Sequence, residues 1–336
     1  MIMDKKHIIA AVGITLIVLI GYSLLNRGGS DSLPREQIID RNQRISSADI
    51  KKAFKRIRFS NENVPQYFSE RVVNPFTIRF FKFLQRKFGN MSFEDHLRAV
   101  QEYLNSTMDA RKAEEMFALY KKFSLYEKSL IDMSKTWPRP RNAQEALKYL
   151  QTIQDYRRDY FGNAIADELF GLMVKNQEYR LRKGAVLNDK SLYGKEKEKK
   201  MQEVREEMWG DDADTVDNSM RPYDRYREKL TAYSKDLSEL SGEQKSAKIK
   251  EFRQAYFPPD VVTRLEQVDV QLANERQAEE QYRVQEQKIQ SDPNLNQDEK
   301  EEKIKELQDT TFGDQAEAFR RRETIRKSLE ERRRSR

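Results

Sequence analysis

The chain has 336 residues, 35% of them charged, and a mean hydropathy of −0.92. Its 15 tyrosines and 17 phenylalanines exclude a disordered chain, because disordered segments are poor in aromatic residues. The chain contains no cysteine, which excludes disulfides, and its net charge is +7.

The first element is an apolar run of 18 residues, Ile8 to Leu25. At helical rise this run covers about 27 Å, close to the hydrocarbon thickness of a bilayer. Lys5 and Lys6 precede it, so the positive-inside rule keeps residues 1–7 in the cytoplasm. A cleaved signal peptide is the alternative, but the run exceeds a usual signal core and Tyr22 spoils a small-residue cleavage site. The pattern predicts a retained transmembrane helix.

Residues 26–62 are predicted to be a flexible spacer. Gly28, Gly29 and Pro34 open this stretch, and the residues that follow are charged with only sparse apolar positions. Such a pattern supports at most a marginal helix. Order is expected to begin near Val64.

Residues 63–137 are predicted to form a first small helical domain. The densest aromatic stretch of the chain, residues 73–88, ends at Gly89 and Asn90. Ser92 with Asp95 resembles a capping box and indicates the start of the next helix. About three short helices are expected before Pro138 and Pro140, which mark a boundary.

Residues 138–256 are predicted to be an extended helical domain, and residues 257–336 a second small helical domain with a basic tail. No proline occurs between Pro140 and Pro222, and apolar residues recur there at helical spacing in narrow stripes. Residues 210–222 form a polar break. Because strand signals are nearly absent, the predicted fold class is all-α.

The positive charge is concentrated at the C-terminus. Residues 319–336 carry nine Arg or Lys against three Glu, and therefore most of the chain's net charge of +7. Such a tail can contact anionic lipid headgroups or a partner protein, and a solvated helix end is the simpler interpretation. No nucleic-acid motif accompanies it, so no nucleic-acid partner is predicted.

Catalytic and cofactor motifs are missing. His7 borders the apolar run, so His96 is the one histidine available for a Ser–His arrangement, and Asp95 beside it diverges on a helix. Neither a nucleophile elbow, a zinc-ligand cluster, a phosphate-binding loop nor a calcium loop occurs. The sequence predicts no enzyme, no catalytic residue, no cofactor and no metal. A hydrolase would require a pocket that contains His96.

The order of features resembles the lipase chaperones, the steric foldases of secreted bacterial lipases. Residues 157–182 are similar to that family's middle helices, and residues 256–269 (YFPPDVVTRLEQVD) to its aromatic-turn segment. The resemblance covers roughly residues 64–325. It implies a foldase in the bacterial inner membrane, with a single pass and its body in the periplasm.

The family's Arg-x-x-Phe-Asp-Tyr signature corresponds to residues 79–83, where Arg79 lies two residues before Phe81 instead of three. Arg79, Phe81, Lys82 and Phe83 stand there, and Gly89 aligns with a glycine that follows in the family. Lysine replaces the family's aspartate, so a salt bridge made by that aspartate cannot form here. The resemblance implies that these five residues bind the client. Core packing of the aromatic rings is the alternative.

The resemblance further implies that the client is a secreted lipase or related hydrolase, that residues 140–256 wrap it, and that no ATP is used. A membrane-tethered helical adaptor of the cell envelope, without foldase activity, is the alternative function, since it predicts the same anchor, charge and helices.

Overall fold

A computed structural model describes Leu33 and residues 36–39, 46–54 and 57–334. This part of the chain is helical and contains no strand, which confirms the all-α fold class for the described residues. The first helices are α1 (Ser47–Phe54), α2 (Val64–Tyr67), α3 (Thr77–Lys87), α4 (Phe93–Thr107), α5 (Ala110–Ser134), α6 (Ala143–Phe161) and α7 (Asn163–Asn188). The later ones are α8 (Gly194–Trp209), α9 (Ala213–Asn218), α10 (Pro222–Ala232), α11 (Ser234–Glu239), α12 (Gly242–Tyr256), α13 (Pro259–Ser291), α14 (Gln297–Phe312) and α15 (Ala316–Arg334).

The transmembrane helix predicted at residues 8–25 lies outside the described residues. Among the helices that the structure describes, none combines the length and the apolar character that a membrane span requires.

The chain divides into two compact units, residues 1–249 and 250–336, and the boundary falls within α12. The predicted division at residues 137 and 256 into three bodies stays a prediction.

In the first unit, α3, α4 and α5 enclose an aromatic core. Ser92 caps α4, as its sequence predicts, because its Oγ accepts a hydrogen bond from the Asp95 N–H at 3.2 Å. Asp109 caps α5 in the same way at the Lys112 N–H. The buried side chains of these three helices include Phe80, Phe81, Leu84, Val100, Leu104, Met116, Tyr120 and Phe123.

Helices α6 and α7 fold back on one another across a single residue, Gly162. Its φ of 85° lies in the region that L side chains rarely adopt, so glycine ends α6 there without strain. Arg158 of α6 pairs with Asp167 of α7, with 2.9 Å between Nε and Oδ1. The chain therefore reverses its direction at Gly162, and α6 and α7 form a helical hairpin.

Residues 36–39 are packed against α7, although the sequence predicts a flexible spacer there. The Ile39 side chain is buried beside Gly171, where a Cβ would lie 3.8 Å from its Cδ1. The Ile38 N–H donates to the buried Glu178 carboxylate at 3.0 Å, and Arg182 donates to the Glu36 carbonyl at 2.8 Å. Because side chains of α7 hold the backbone of residues 36–39, this segment packs as part of the fold.

Helix α1 lies in the same predicted spacer and fills a second small core. Ile50 is buried there, and Ser47 donates to Asp212 at 2.8 Å. The other buried members of this cluster are Tyr179, Met208, Trp209, Ala213 and Val216. The polar break predicted at residues 210–222 thus contains the short helix α9, which supplies two of them.

The second unit is built on α13, α14 and α15. Tyr282 is buried against Phe312 and Phe319, whose rings stack on each other with centroids 4.0 Å apart. Gln308 donates to the Tyr282 hydroxyl at 2.9 Å, which in turn donates to Glu286 at 2.8 Å. One tyrosine therefore joins α13 to both later helices.

Candidate functional site

The predicted client-binding residues lie on or just after α3. A local network fixes the start of this helix: the Asn74 N–H donates to Thr77 Oγ1 at 2.9 Å, and that hydroxyl donates to the Val72 carbonyl at 2.6 Å. The Asn74 side chain also accepts from the Phe76 N–H at 2.8 Å. Because these groups are buried and satisfied, the direction of α3 is well defined.

Arg79 is half-buried on the side of α3 that meets the end of α1. Its guanidinium donates to the Lys52 carbonyl at 3.1 Å and lies over the Phe76 ring, 5.1 Å from the centroid. Burial lowers the pKa of the Arg79 guanidinium from its ordinary value. Even so, arginine keeps its charge at neutral pH. The structure thus places a partly desolvated cation at this position.

Lys82 lies one turn further along α3 and pairs with Glu127 of α5. The two side chains are only 14% and 15% exposed. Gln85 donates to the second oxygen of the same carboxylate, and the Lys82 ammonium lies 5.5 Å from the centroid of the Phe123 ring. The cation that replaces the family's aspartate therefore has an acidic partner in this chain.

Phe83 is half-buried and extends the aromatic packing to the surface. Its ring packs on Phe59, with centroids 5.7 Å apart, and stacks on Phe80 at 6.0 Å. The Lys87 ammonium lies over the rings of Phe83 and Tyr103, at 5.8 Å and 5.2 Å. Burial raises the pKa of the Tyr103 hydroxyl, and the charge of Glu62 raises it further. This lysine–aromatic surface is the most exposed part of the predicted site.

Phe81 lies on the opposite side of α3 and is fully buried. Its ring packs edge-on against Tyr120 at 5.2 Å and against Phe123 at 5.0 Å. The structure therefore places Phe81 in the core, as the alternative interpretation of the aromatic run describes, and leaves Arg79, Lys82 and Phe83 on the other side of the helix.

Gly89 follows the end of α3 at a close approach of the backbone. A Cβ at this position would lie 3.0 Å from the Gln85 carbonyl oxygen, which leaves no room for a larger side chain without a shift. The close packing of this turn explains why the residue is glycine. Contact of Gly89 with a client stays a prediction.

His96 is buried inside the helical core, and its ring nitrogens are both used. Since the Phe88 carbonyl can only accept, Nδ1 donates to it at 2.9 Å and Nε2 accepts from the Tyr120 hydroxyl at 2.5 Å. Burial raises the pKa of that tyrosine strongly. The imidazole links α4 to α5 as a structural residue. Among the described residues, no group of three or more His, Asp or Glu side chains is arranged to hold a metal ion.

Two participants of the site, Glu127 and Tyr103, are not among the residues that the sequence predicts. Glu127 is 45 residues from Lys82 in the chain, and its charge alone does not distinguish it from the many other glutamates. Tyr103 reaches the site from α4, on the face that its apolar spacing assigns to the core. Its helical register was the signal that could have found it.

The segments that resemble the lipase chaperones in sequence form regular helical packing. Arg157 of α6 is buried: its Nε donates to the Tyr126 hydroxyl at 2.9 Å, and its guanidinium lies 4.2 Å from the centroid of the Phe170 ring. In the second segment, Pro259 is the first residue of α13. Asp269 lies ten residues further along this helix and pairs with Arg253.

In a comparison with protein families, residues 119–317 match the family described as proteobacterial lipase chaperone protein. This stretch begins within α5 and ends within α15, and it spans more than half of the chain. The chain belongs to the proteobacterial lipase chaperone family. No curated protein matches it, and no solved structure does. The α3 residues precede the matched stretch.

Proposed function

We propose that this protein is a membrane-anchored periplasmic chaperone that binds a secreted lipase-type hydrolase and assists its final folding without ATP. The observation that carries the proposal is the family match over residues 119–317, because the family consists of lipase chaperones. The family also implies a lipase as the partner.

Independence from ATP is supported by the sequence, which contains no phosphate-binding loop. A client that stops short of its native state needs binding energy directed at its near-native conformation. A helical surface with many modest polar contacts and a few aromatic anchors supplies such energy. The chaperone then acts as a binding partner, and we assign it no enzymatic activity.

Two surfaces suit the client in this proposal. One is the side of α3 with Arg79, Lys82 and Phe83, where a cation and a half-buried ring reach solvent. The other is the middle of α13, where residues 270–277 are exposed on all sides and Val268 and Leu272 share one face. Because no other element covers the middle of this helix, side chains around its whole circumference are accessible to a partner.

The apolar run at residues 8–25 would hold the chaperone in the inner membrane, where newly exported clients emerge. Tethering raises the local concentration of the chaperone and prevents its secretion together with the client. The packing of residues 36–39 on α7 places this part of the predicted spacer against the helical body.

The test is refolding of a denatured lipase of this family's client class with a fragment of residues 31–336, which retains residues 36–39 and helix α1. In the absence of ATP, we expect recovery of lipase activity well above that with an inert protein at equal concentration. Arg79→Ala should reduce the recovered activity, whereas Arg139→Ala, at an exposed position outside both surfaces, should leave it unchanged.

A different outcome would favour the adaptor function. If the lipase is captured by the fragment in a pulldown but recovers no more activity than with the inert protein, the chain positions its partner without folding it. If it is neither captured nor activated, the proposed function is wrong.

A further inference from the structure

The last helix, α15, extends beyond the packing that supports its first half. Ala316, Phe319 and Glu323 are buried, and the Phe319 ring packs on Tyr282 and Phe312 in the second unit's aromatic core. From Thr324 to Arg333 every side chain except that of Ser328, which is half-buried, is exposed. About ten residues of helix therefore stand in solvent, held by ion pairs along the helix such as Arg326 with Glu330 at 3.0 Å.

Apolar and basic side chains share one face of this exposed segment. Ile325 and Leu329, 62% and 53% exposed, are four residues apart and lie on the same side of the helix. At 100° per residue, the positions that flank them are Arg321, Arg322, Arg332 and Arg333. The glutamates 323, 330 and 331 all lie on the opposite side. Between residues 321 and 333, the face with Ile325 and Leu329 therefore carries basic side chains and no acidic one, while the opposite side carries the glutamates together with Lys327.

Two arginines of this face, Arg321 and Arg322, are engaged only loosely with acidic groups in the second unit. Arg321 pairs with Glu317, and both side chains are more than two thirds exposed. Arg322 pairs with Glu279 at 3.2 Å and is 64% exposed. Pairs this open to solvent contribute little, and the guanidinium groups can exchange them for another anion at small cost.

We propose that this face of α15, formed by Arg321, Arg322, Ile325, Leu329, Arg332 and Arg333, binds the surface of a bilayer that contains anionic phospholipids. The arginines match the negative headgroups, and the two apolar side chains reach the acyl boundary between them. An acidic protein surface would use the arginines but would leave Ile325 and Leu329 in contact with charge. The inference goes beyond the proposed function and does not depend on the client.

The absence of cysteine makes a direct test simple, because one introduced cysteine is the only site of labelling. The full chain, reconstituted into vesicles, carries a polarity-sensitive fluorophore at Leu329→Cys on the proposed face or at Lys327→Cys on the opposite side. Vesicles of phosphatidylcholine alone are compared with vesicles that contain phosphatidylglycerol. We expect a blue shift of the emission at position 329 only, and only with phosphatidylglycerol.

Removing charge from the face should abolish this shift. Since a basic side chain near an anionic surface contributes about a factor of five, Arg332→Gln with Arg333→Gln should weaken the contact about twenty-five-fold. The matched control is Lys199→Gln with Lys200→Gln on α8, which removes the same charge from another exposed helix and should leave the shift intact.

Three results would overturn the proposal. They are equal emission at positions 327 and 329, a shift of the same size in phosphatidylcholine alone, and a shift that appears only when an acidic client lipase is added without anionic lipid. The last result would assign the face to a protein partner.

Discussion

Glu127 of α5 accepts from two side chains of α3, the ammonium of Lys82 and the amide of Gln85. The acceptor is mostly buried, and its two donors are three residues apart, so a single carboxylate fixes the rotation of α3 against α5. The pair occupies the position where the family signature has an aspartate. In this chain, the packing of α3 on α5 therefore includes a positive charge at the position where the family signature has a negative one.

Reversing this charge should destabilise the first unit. Lys82→Asp places two carboxylates side by side with little access to water, and we expect a loss of about 3 kcal/mol in the free energy of unfolding, as for other broken buried pairs. Lys82→Asp combined with Glu127→Lys should recover most of it. Urea denaturation followed by circular dichroism measures both.

The matched control for that reversal is Lys135→Asp, which removes the pair with Asp132. Both of those side chains are about two thirds exposed, so the expected loss is below about 1 kcal/mol. Equal losses at positions 82 and 135 would contradict the view that the first pair is structural. A gain of foldase activity toward an ordinary family lipase in Lys82→Asp would show in addition that this position contacts the client.

Shortening Ile39 should reveal that residues 36–39 belong to the fold. Ile39→Ala removes buried methyl groups from the contact with Gly171, and such truncations cost about 2–4 kcal/mol. Ile325→Ala on the exposed end of α15 is the control and should change the free energy of unfolding by less than about 0.5 kcal/mol. If both variants unfold at the same urea concentration, residues 36–39 are a spacer after all.

The all-α fold class, the helix caps and the helix breaks can be predicted from the sequence, because they depend on residues that are close together in the chain. The Ser92 cap and the helix break at Gly162 are local events. The sequence does not predict the packing of Ile39 and Ile50, because both lie in charged stretches with few apolar residues and the helices that bury them are more than a hundred residues away. A sparse pattern of that kind predicts a spacer unless the distant partner is known.

The candidate site was predicted only in part for a similar reason. A run of aromatic residues such as that from Phe80 to Phe83 shows that one side of the helix is buried, but it does not show which ring is on that side. The structure assigns Phe81 to the core and leaves Phe83 at the surface. The partner of Lys82 depends on how α5 packs, which no local spacing reveals.

Gly194 should be intolerant of any side chain. It opens α8 against the ring of Tyr233, and a Cβ would lie only 2.4 Å from that ring. Tyr233 is held in place by its hydroxyl, which donates to Glu198 at 2.7 Å, so the ring cannot simply turn away. We expect Gly194→Ala to cost about 1–3 kcal/mol by overpacking. Thermal unfolding followed by circular dichroism measures it.

Gly242 supplies the comparison for that substitution, because it opens α12 and a Cβ there would meet nothing within 4 Å. Gly242→Ala should leave stability unchanged or raise it by up to about 1 kcal/mol through the unfolded state. A destabilisation of the same size at both positions would mean that backbone freedom, and not the tyrosine ring, requires the glycine at residue 194.

The second unit should lose stability in acid through Glu323. Burial alone would raise the pKa of this carboxyl, but hydrogen bonds and charges from Arg283 and Arg326 outweigh burial and lower the pKa to about 2, from an ordinary value of 4.5. Because the pKa is lower in the folded state, the pair stabilises fully above about pH 5. The stabilisation is lost as the pH falls from 4.5 toward 2, and it amounts to at most about 3 kcal/mol.

Hydrogen exchange of the amides of residues 316–323, corrected for the intrinsic rates, follows this loss between pH 6 and pH 3. In Glu323→Gln the protection should be low already at pH 6 and should depend little on pH, since the titrating group is absent. Glu331→Gln, on the exposed end of the same helix, should retain the pH dependence of the parent chain. If Glu323→Gln instead shows the same acid loss as the parent, other carboxyl groups carry it, and the three-residue cluster does not hold α15 to α13.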